Sequence, residues 1–146
     1  MKRIGVLLFF LALSLIQQNG NAESNPEFPQ WINALGADTM KTLQTKVSVS
    51  SVKLPDALEE ERLFTFCLKG HGSLKNIPDP FKALERMFFK NNWKYVPRYQ
   101  ADGHGRSSFA YEKENHFCNI QVNTDSSCDD EETGYVPSQF WFEINC

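Results

Sequence analysis

Three histidines, His71, His104 and His116, are the residues best suited to hold a transition metal. Two of them lie between glycines, as Gly70-His71-Gly72 and Gly103-His104-Gly105. Loops of that composition present an imidazole with little steric hindrance, and three convergent imidazoles bind zinc or copper. Nothing in the spacing brings the three together. A metal-binding protein or metal-dependent enzyme is therefore the alternative reading, and exposed loop histidines are the first expectation. A second set of donors is acidic. Asp125, Asp129, Asp130, Glu131 and Glu132 surround Cys128 and supply the hard oxygens that calcium prefers. Their spacing is not that of an EF-hand, and the glycine needed at the bend of such a loop is missing. A solvated loop tip is expected, or a surface that docks on a basic partner.

Nucleophilic catalysis lacks its usual frame. Ser107 and Ser108 follow Gly105-Arg106, but no Gly-x-Ser-x-Gly elbow is present. The four cysteines are expected to be oxidised, and an oxidised cysteine is not a nucleophile. A carboxylate pair for glycoside hydrolysis cannot be picked out of the many glutamates by spacing alone. No catalytic residue and no cofactor are assigned. The remaining candidates are aromatic. Trp141 falls on the polar parity of its segment, beside Glu143 and Asn145, while Trp93, Tyr95 and Tyr99 lie on an expected edge strand. Tyr and Trp dominate the energetics of protein interfaces, so these four are the candidate binding residues. The competing expectation is that an N-terminal helix covers this second face and buries the rings.

Compartment follows from the first residues. Lys2 and Arg3 precede the apolar run Ile4 to Ile16, and Gly20-Asn21-Ala22 supplies small residues for cleavage. This is the pattern of a secretory signal peptide, 1–22, and the run is too short to span a bilayer as a mature helix. Its removal from 146 residues leaves 124, residues 23–146, the size of one domain. The formal charge moves from −3 to −5, because two basic residues and no acidic ones are lost. That balance argues against nucleic acid and against anionic membranes as partners. A periplasmic or secreted location is expected. Cys67, Cys118, Cys128 and Cys146 all lie in the mature part, and an even count in an exported chain reads as two disulfides. Cys118–Cys146 is favoured, since both share a parity on strands expected to be neighbours; Cys67–Cys128 is then left. No pair has zinc-site spacing.

The elements that must position these residues centre on 79–123. Asp79 and Pro80 form a helix start, and Phe81, Leu84, Met87 and Phe88 follow as one apolar stripe, with Asn91 and Asn92 as the stop. The helix is thus expected over about 79–91. Trp93, Tyr95 and Tyr99 alternate as in a strand, and Pro97 makes it an edge strand or a bulged one. Asp102-Gly103 signals a hairpin, with a loop through Gly105 longer than the tightest turns. Strands are expected over Ser107 to Lys113 and His116 to Asn123, turned by Glu114-Asn115. In the second, Cys118, Ile120 and Val122 face the core. Upstream, Phe28 to about Lys46 reads as a helix and Val47 to Lys53 as a short strand. Asp56 caps a short helical turn through Glu61, and Arg62 to Lys69 forms a strand ended by Gly70-His71-Gly72-Ser73. Thr124 to Pro137 is a polar loop. Ser138 to Cys146 is the closing strand, with Phe140, Phe142, Ile144 and Cys146 inward. The expected fold is α+β: a mainly antiparallel sheet of four to five strands, the 79–91 helix on one face, a second N-terminal helix, and two disulfides. The expected role is binding, as an inhibitor, immunity-type protein or envelope accessory factor whose partner is a protein or a cell-envelope component. A carrier with an aromatic cavity between sheet and helix is the third possibility.

Overall fold

The computed structural model describes residues 27–52, 64–126 and 130–146. The expected signal peptide, the expected Asp56 turn, Cys128 and Asp129 lie outside the described residues. Helix α1 (Gln30–Leu43) leads to β1 (Ser48–Ser51) and β2 (Phe66–Ser73). Helix α2 (Pro80–Lys90) is followed by β3 (Lys94–Tyr95), a 3-10 turn (Pro97–Tyr99), β4 (Ala101–Gly103), β5 (Arg106–Lys113) and β6 (His116–Thr124). A helical turn, α3 (Asp130–Thr133), precedes β7 (Gln139–Asn145).

Helix α2 starts and stops where its sequence says it should. The Asp79 carboxylate accepts from the Lys82 amide at 2.9 Å, and Pro80 occupies the first turn. Asn92 adopts φ 60°, a left-handed turn that Asn tolerates. Leu84, Met87 and Phe88 are buried along one stripe.

The strands form one antiparallel sheet in the order β1-β2-β7-β6-β5-β3, with β4 also paired to β5. The sheet has seven strands, where four to five are expected. The difference arises partly at Pro97. Proline has no amide to donate, so the single edge strand expected over Trp93–Tyr99 breaks into β3, a 3-10 turn and β4. The hairpin that follows is also tighter than expected. Gly103 pairs with Arg106, leaving a two-residue loop of His104 and Gly105, with Gly105 at φ 66°.

A second correction concerns Gly70-His71-Gly72, expected as a loop and found inside β2. Both glycines lie under aromatic rings of β7. A Cβ on Gly70 would come within 2.6 Å of the Lys46 carbonyl oxygen and 2.7 Å of the Phe142 ring. A Cβ on Gly72 would come within 2.5 Å of the Phe140 ring. The glycines are packing residues that let β2 run beneath two phenylalanines.

Inward-facing residues of all the long strands join the helices in one core. Leu68, Phe109, Tyr111, Cys118, Ile120, Val122, Phe140, Phe142 and Ile144 meet Ile32, Leu35 and Leu43 of α1 and Leu84, Met87 and Phe88 of α2. The helices pack on the same face and touch each other, with Asn91 Nδ2 donating to Asp38 Oδ2 at 3.0 Å. The fold is therefore two layers, helices over an antiparallel sheet. Cys118 and Cys146 are bonded across β6 and the end of β7, as their shared parity predicts. The second staple is not formed: Cys67 is a free, buried thiol. It faces the opposite side of the sheet from the Cys118–Cys146 bridge, one residue out of parity with Leu68.

Candidate binding surfaces

The four aromatic candidates divide between two faces. Trp141 projects from β7 on the face away from the helices and is 47% exposed. Register sets it between His71 on β2 and Asn123 on β6, with Arg106 of β5 beyond Asn123. Among the described residues Asn123 Oδ1 is buried without a hydrogen-bond partner. In the next row Lys69 Nζ lies 3.0 Å from Glu143 Oε2, and Asn145 Nδ2 donates to Glu143 Oε1 at 3.0 Å. The Asn145 amide, and after it Lys69, hold the Glu143 carboxyl below the usual range. Among the described residues no helix covers this face, so the expectation that the N-terminal helix buries Trp141 is overturned. Tyr99 reaches the same side from the 3-10 turn. Its ring is half-buried against Phe117 at 5.1 Å, with the Arg98 guanidinium 4.9 Å from its centroid.

Trp93 and Tyr95 belong to the other side. Trp93 is only 9% exposed and sits edge-on to Phe88 at 5.3 Å, so most of its ring is packed in the core. The left-handed turn at Asn92 throws it back under α2. Tyr95 is 40% exposed, and its hydroxyl is hydrogen-bonded to Gln100 Oε1. Beside it stands Phe89, 78% exposed on the last turn of α2. Phe89, Tyr95, Trp93 and Tyr111 line a groove of about 610 Å³ between α2 and β3, rimmed by Glu85, Arg86 and Lys94. Burial pushes the Tyr111 hydroxyl up to about 12, so the groove floor stays uncharged. Phe89 was not among the four candidates. Its signal was present in the sequence: it lies one residue off the Phe81–Leu84–Phe88 stripe, on the helix face that carries Glu85 and Arg86.

The histidines do not converge. His71 is on β2, and His104 is in the hairpin before β5, three strands away and so roughly 14 Å distant at the usual strand spacing. His116 begins β6 at its far end and stacks on Trp31 at 4.0 Å. Among the described residues no group of three or more His, Cys, Asp or Glu is placed to hold a metal ion. Nor is Cys67 poised as a nucleophile. Burial first, then the Glu143 charge, pushes its thiol up to about 11, so it stays protonated at neutral pH.

No protein-family model matches the chain, and no curated protein matches it. Among the described residues no helix is long and apolar enough to cross a membrane.

Asp125, the first acidic residue of the 124–137 loop, is a latch. It accepts from the Tyr135 hydroxyl at 2.5 Å, the Ser138 amide at 2.9 Å, the Gln139 amide at 3.0 Å and the Ser138 hydroxyl at 3.1 Å. These bonds, Tyr135 first, hold its carboxyl far below the usual carboxylate range. The unfolded chain therefore takes up this proton at higher pH than the folded protein does. The latch contributes fully above the unfolded carboxylate value of about 3.9 and is lost as pH falls below it. We expect Asp125→Asn to lower stability at pH 7 and to flatten the acid limb of the stability curve below about pH 4. Urea unfolding of both proteins at pH 7 and pH 3 checks this; parallel acid limbs would contradict the latch.

Proposed function

We propose that the protein is an exported binding protein that engages a partner protein, or a protein component of the cell envelope, through the groove between α2 and β3. The observation that carries this reading is Phe89. A phenylalanine held 78% exposed on a rigid helix, beside a half-exposed tyrosine and over two more rings, costs solubility unless something covers it. Aromatic anchors with a charged rim are the arrangement expected of an interface hot spot. The signal-peptide pattern over 1–22 supports export, and a formed disulfide fits an oxidising compartment. Among the described residues no observation favours the metal-dependent alternative.

Because Phe89 touches so little of the core, Phe89→Ala is expected to change stability by no more than about 0.5 kcal/mol. It should nevertheless weaken partner retention at least about tenfold, the scale of a hot-spot truncation. The check is quantitative co-purification from the native compartment, with Trp141→Ala as the control on the opposite face. Retention lost with Trp141→Ala and kept with Phe89→Ala would overturn the assignment of the groove.

A further inference from the structure

A separate cleft of about 450 Å³ opens at the end of the sheet where β7 stops. The chain before β2 and the β5–β6 hairpin continue past Cys146 on either side of it, and α1 closes one wall with Trp31. Four aromatic rings line the cleft, those of Trp31, Phe64, Phe66 and Phe117, together with the carboxylates of Glu112 and Glu114. Trp31 stands nearly perpendicular to Phe66 at 6.0 Å, and Phe64 stacks near Phe117 at 6.2 Å. His116, stacked on Trp31, fixes the indole. Neither glutamate has an ion-pair or hydrogen-bond partner among the described residues, and no described Lys or Arg lines the cleft.

We propose that this cleft binds a methylated ammonium group. Aromatic faces attract a cation through the ring quadrupole, and the Glu112 and Glu114 carboxylates add negative charge at the rim, neither held in an ion pair among the described residues although Lys94 lies opposite Glu112 in the β3–β5 register. Aromatic walls suit a methylated cation, which sheds water readily, better than a bare ammonium ion, which needs acceptors the rings cannot supply. They also exclude a hard metal ion, which requires several converging oxygens. The volume falls in the range of small-molecule sites and leaves room for the portion attached to the cationic head. The ligand is a soluble methylated amine or the head of a choline lipid, which share this chemistry. The proposal does not rest on the α2–β3 groove.

The test is calorimetric titration of the mature protein with choline, and with 3,3-dimethylbutan-1-ol, which has the same shape and no charge. Choline should bind and the neutral analogue should bind at least about tenfold more weakly, the upper range of a cation–π contribution. The Glu112→Gln/Glu114→Gln double variant, altered at two exposed positions, should lose about tenfold in choline affinity while keeping wild-type unfolding and partner retention. Cosedimentation with phosphatidylcholine vesicles, reversed by choline, identifies the lipid head; choline binding without cosedimentation identifies the soluble amine. Equal binding of the two probes, unchanged choline affinity in the double variant, or no choline binding at tens of millimolar would each overturn the proposal.

Discussion

Phe88→Ala is expected to destabilise the protein by about 3–5 kcal/mol, whereas the same substitution at its neighbour Phe89 leaves stability nearly unchanged. Phe88 is fully buried. Its ring lies flat on Tyr111 at 4.8 Å and an interplanar angle of 7°, and Trp93 packs edge-on against it. Truncation removes the apolar area of a whole ring and leaves a void between α2 and β5. The void cannot close easily. Tyr111 is fixed in a strand paired on both sides, opposite Tyr95 and Cys118, and Trp93 is tied to the helix end by its amide bonding the Phe88 carbonyl at 3.0 Å. Against a total stability of about 5–15 kcal/mol, such a loss is a large fraction. Urea unfolding of both variants checks the contrast, since midpoint and slope together separate lost stability from a changed unfolded state. Similar losses in both would mean that α2 is rotated relative to the sheet, and the exposed anchor would not exist.

Removing the Cys118–Cys146 bridge, as the Cys118→Ala/Cys146→Ala pair, is expected to cost about 3–4 kcal/mol. The bridge closes a loop with a sequence separation of 28, and chain-entropy arguments give a figure of that size for such a loop. Both sulfurs are buried in the main core, so alanines also leave a small void there. The loop spans β6, the acidic segment and β7, so the bridge holds the closing strand between β2 and β6. Cys67 should behave differently. Buried and protonated, it should resist alkylation in the native protein and take up label once the unreduced chain is denatured. Failure of Cys67 to label in the denatured, unreduced protein would show that it is bonded and would restore the second staple.

Much of the fold was legible because the periodicities are strong. Cys118, Ile120 and Val122, and again Phe140, Phe142 and Ile144, alternate cleanly, so both strands and the disulfide between them follow from parity. Asp79-Pro80 and the apolar stripe define α2. What was hidden is tertiary. Gly70-His71-Gly72 carries the signature of a turn, and only the Phe140 and Phe142 rings of a strand seventy residues later make it a strand interior. Trp93 looks like part of an edge strand until the left-handed Asn92 is seen to fold it under Phe88. The candidate site was half legible. Tyr95 could be picked from its place on the expected edge strand, but Phe89 sits next to the Phe88 stripe and does not stand out from it, although its neighbours Glu85 and Arg86 mark the exposed side of the helix. The N-terminal helix could be read from its own residues, but not the face it covers. Its Asp38 and Thr39 contacts to Asn91 and Met87 decide that, and they leave Trp141 in the open.

The most direct test of the groove as the working surface is photo-crosslinking in the source cells, with a photoreactive amino acid at position 89 or at position 141 of the full chain. The account predicts a discrete adduct from position 89 in the exported, processed protein and none from position 141. An adduct from position 141 alone, or none from either position, would contradict it.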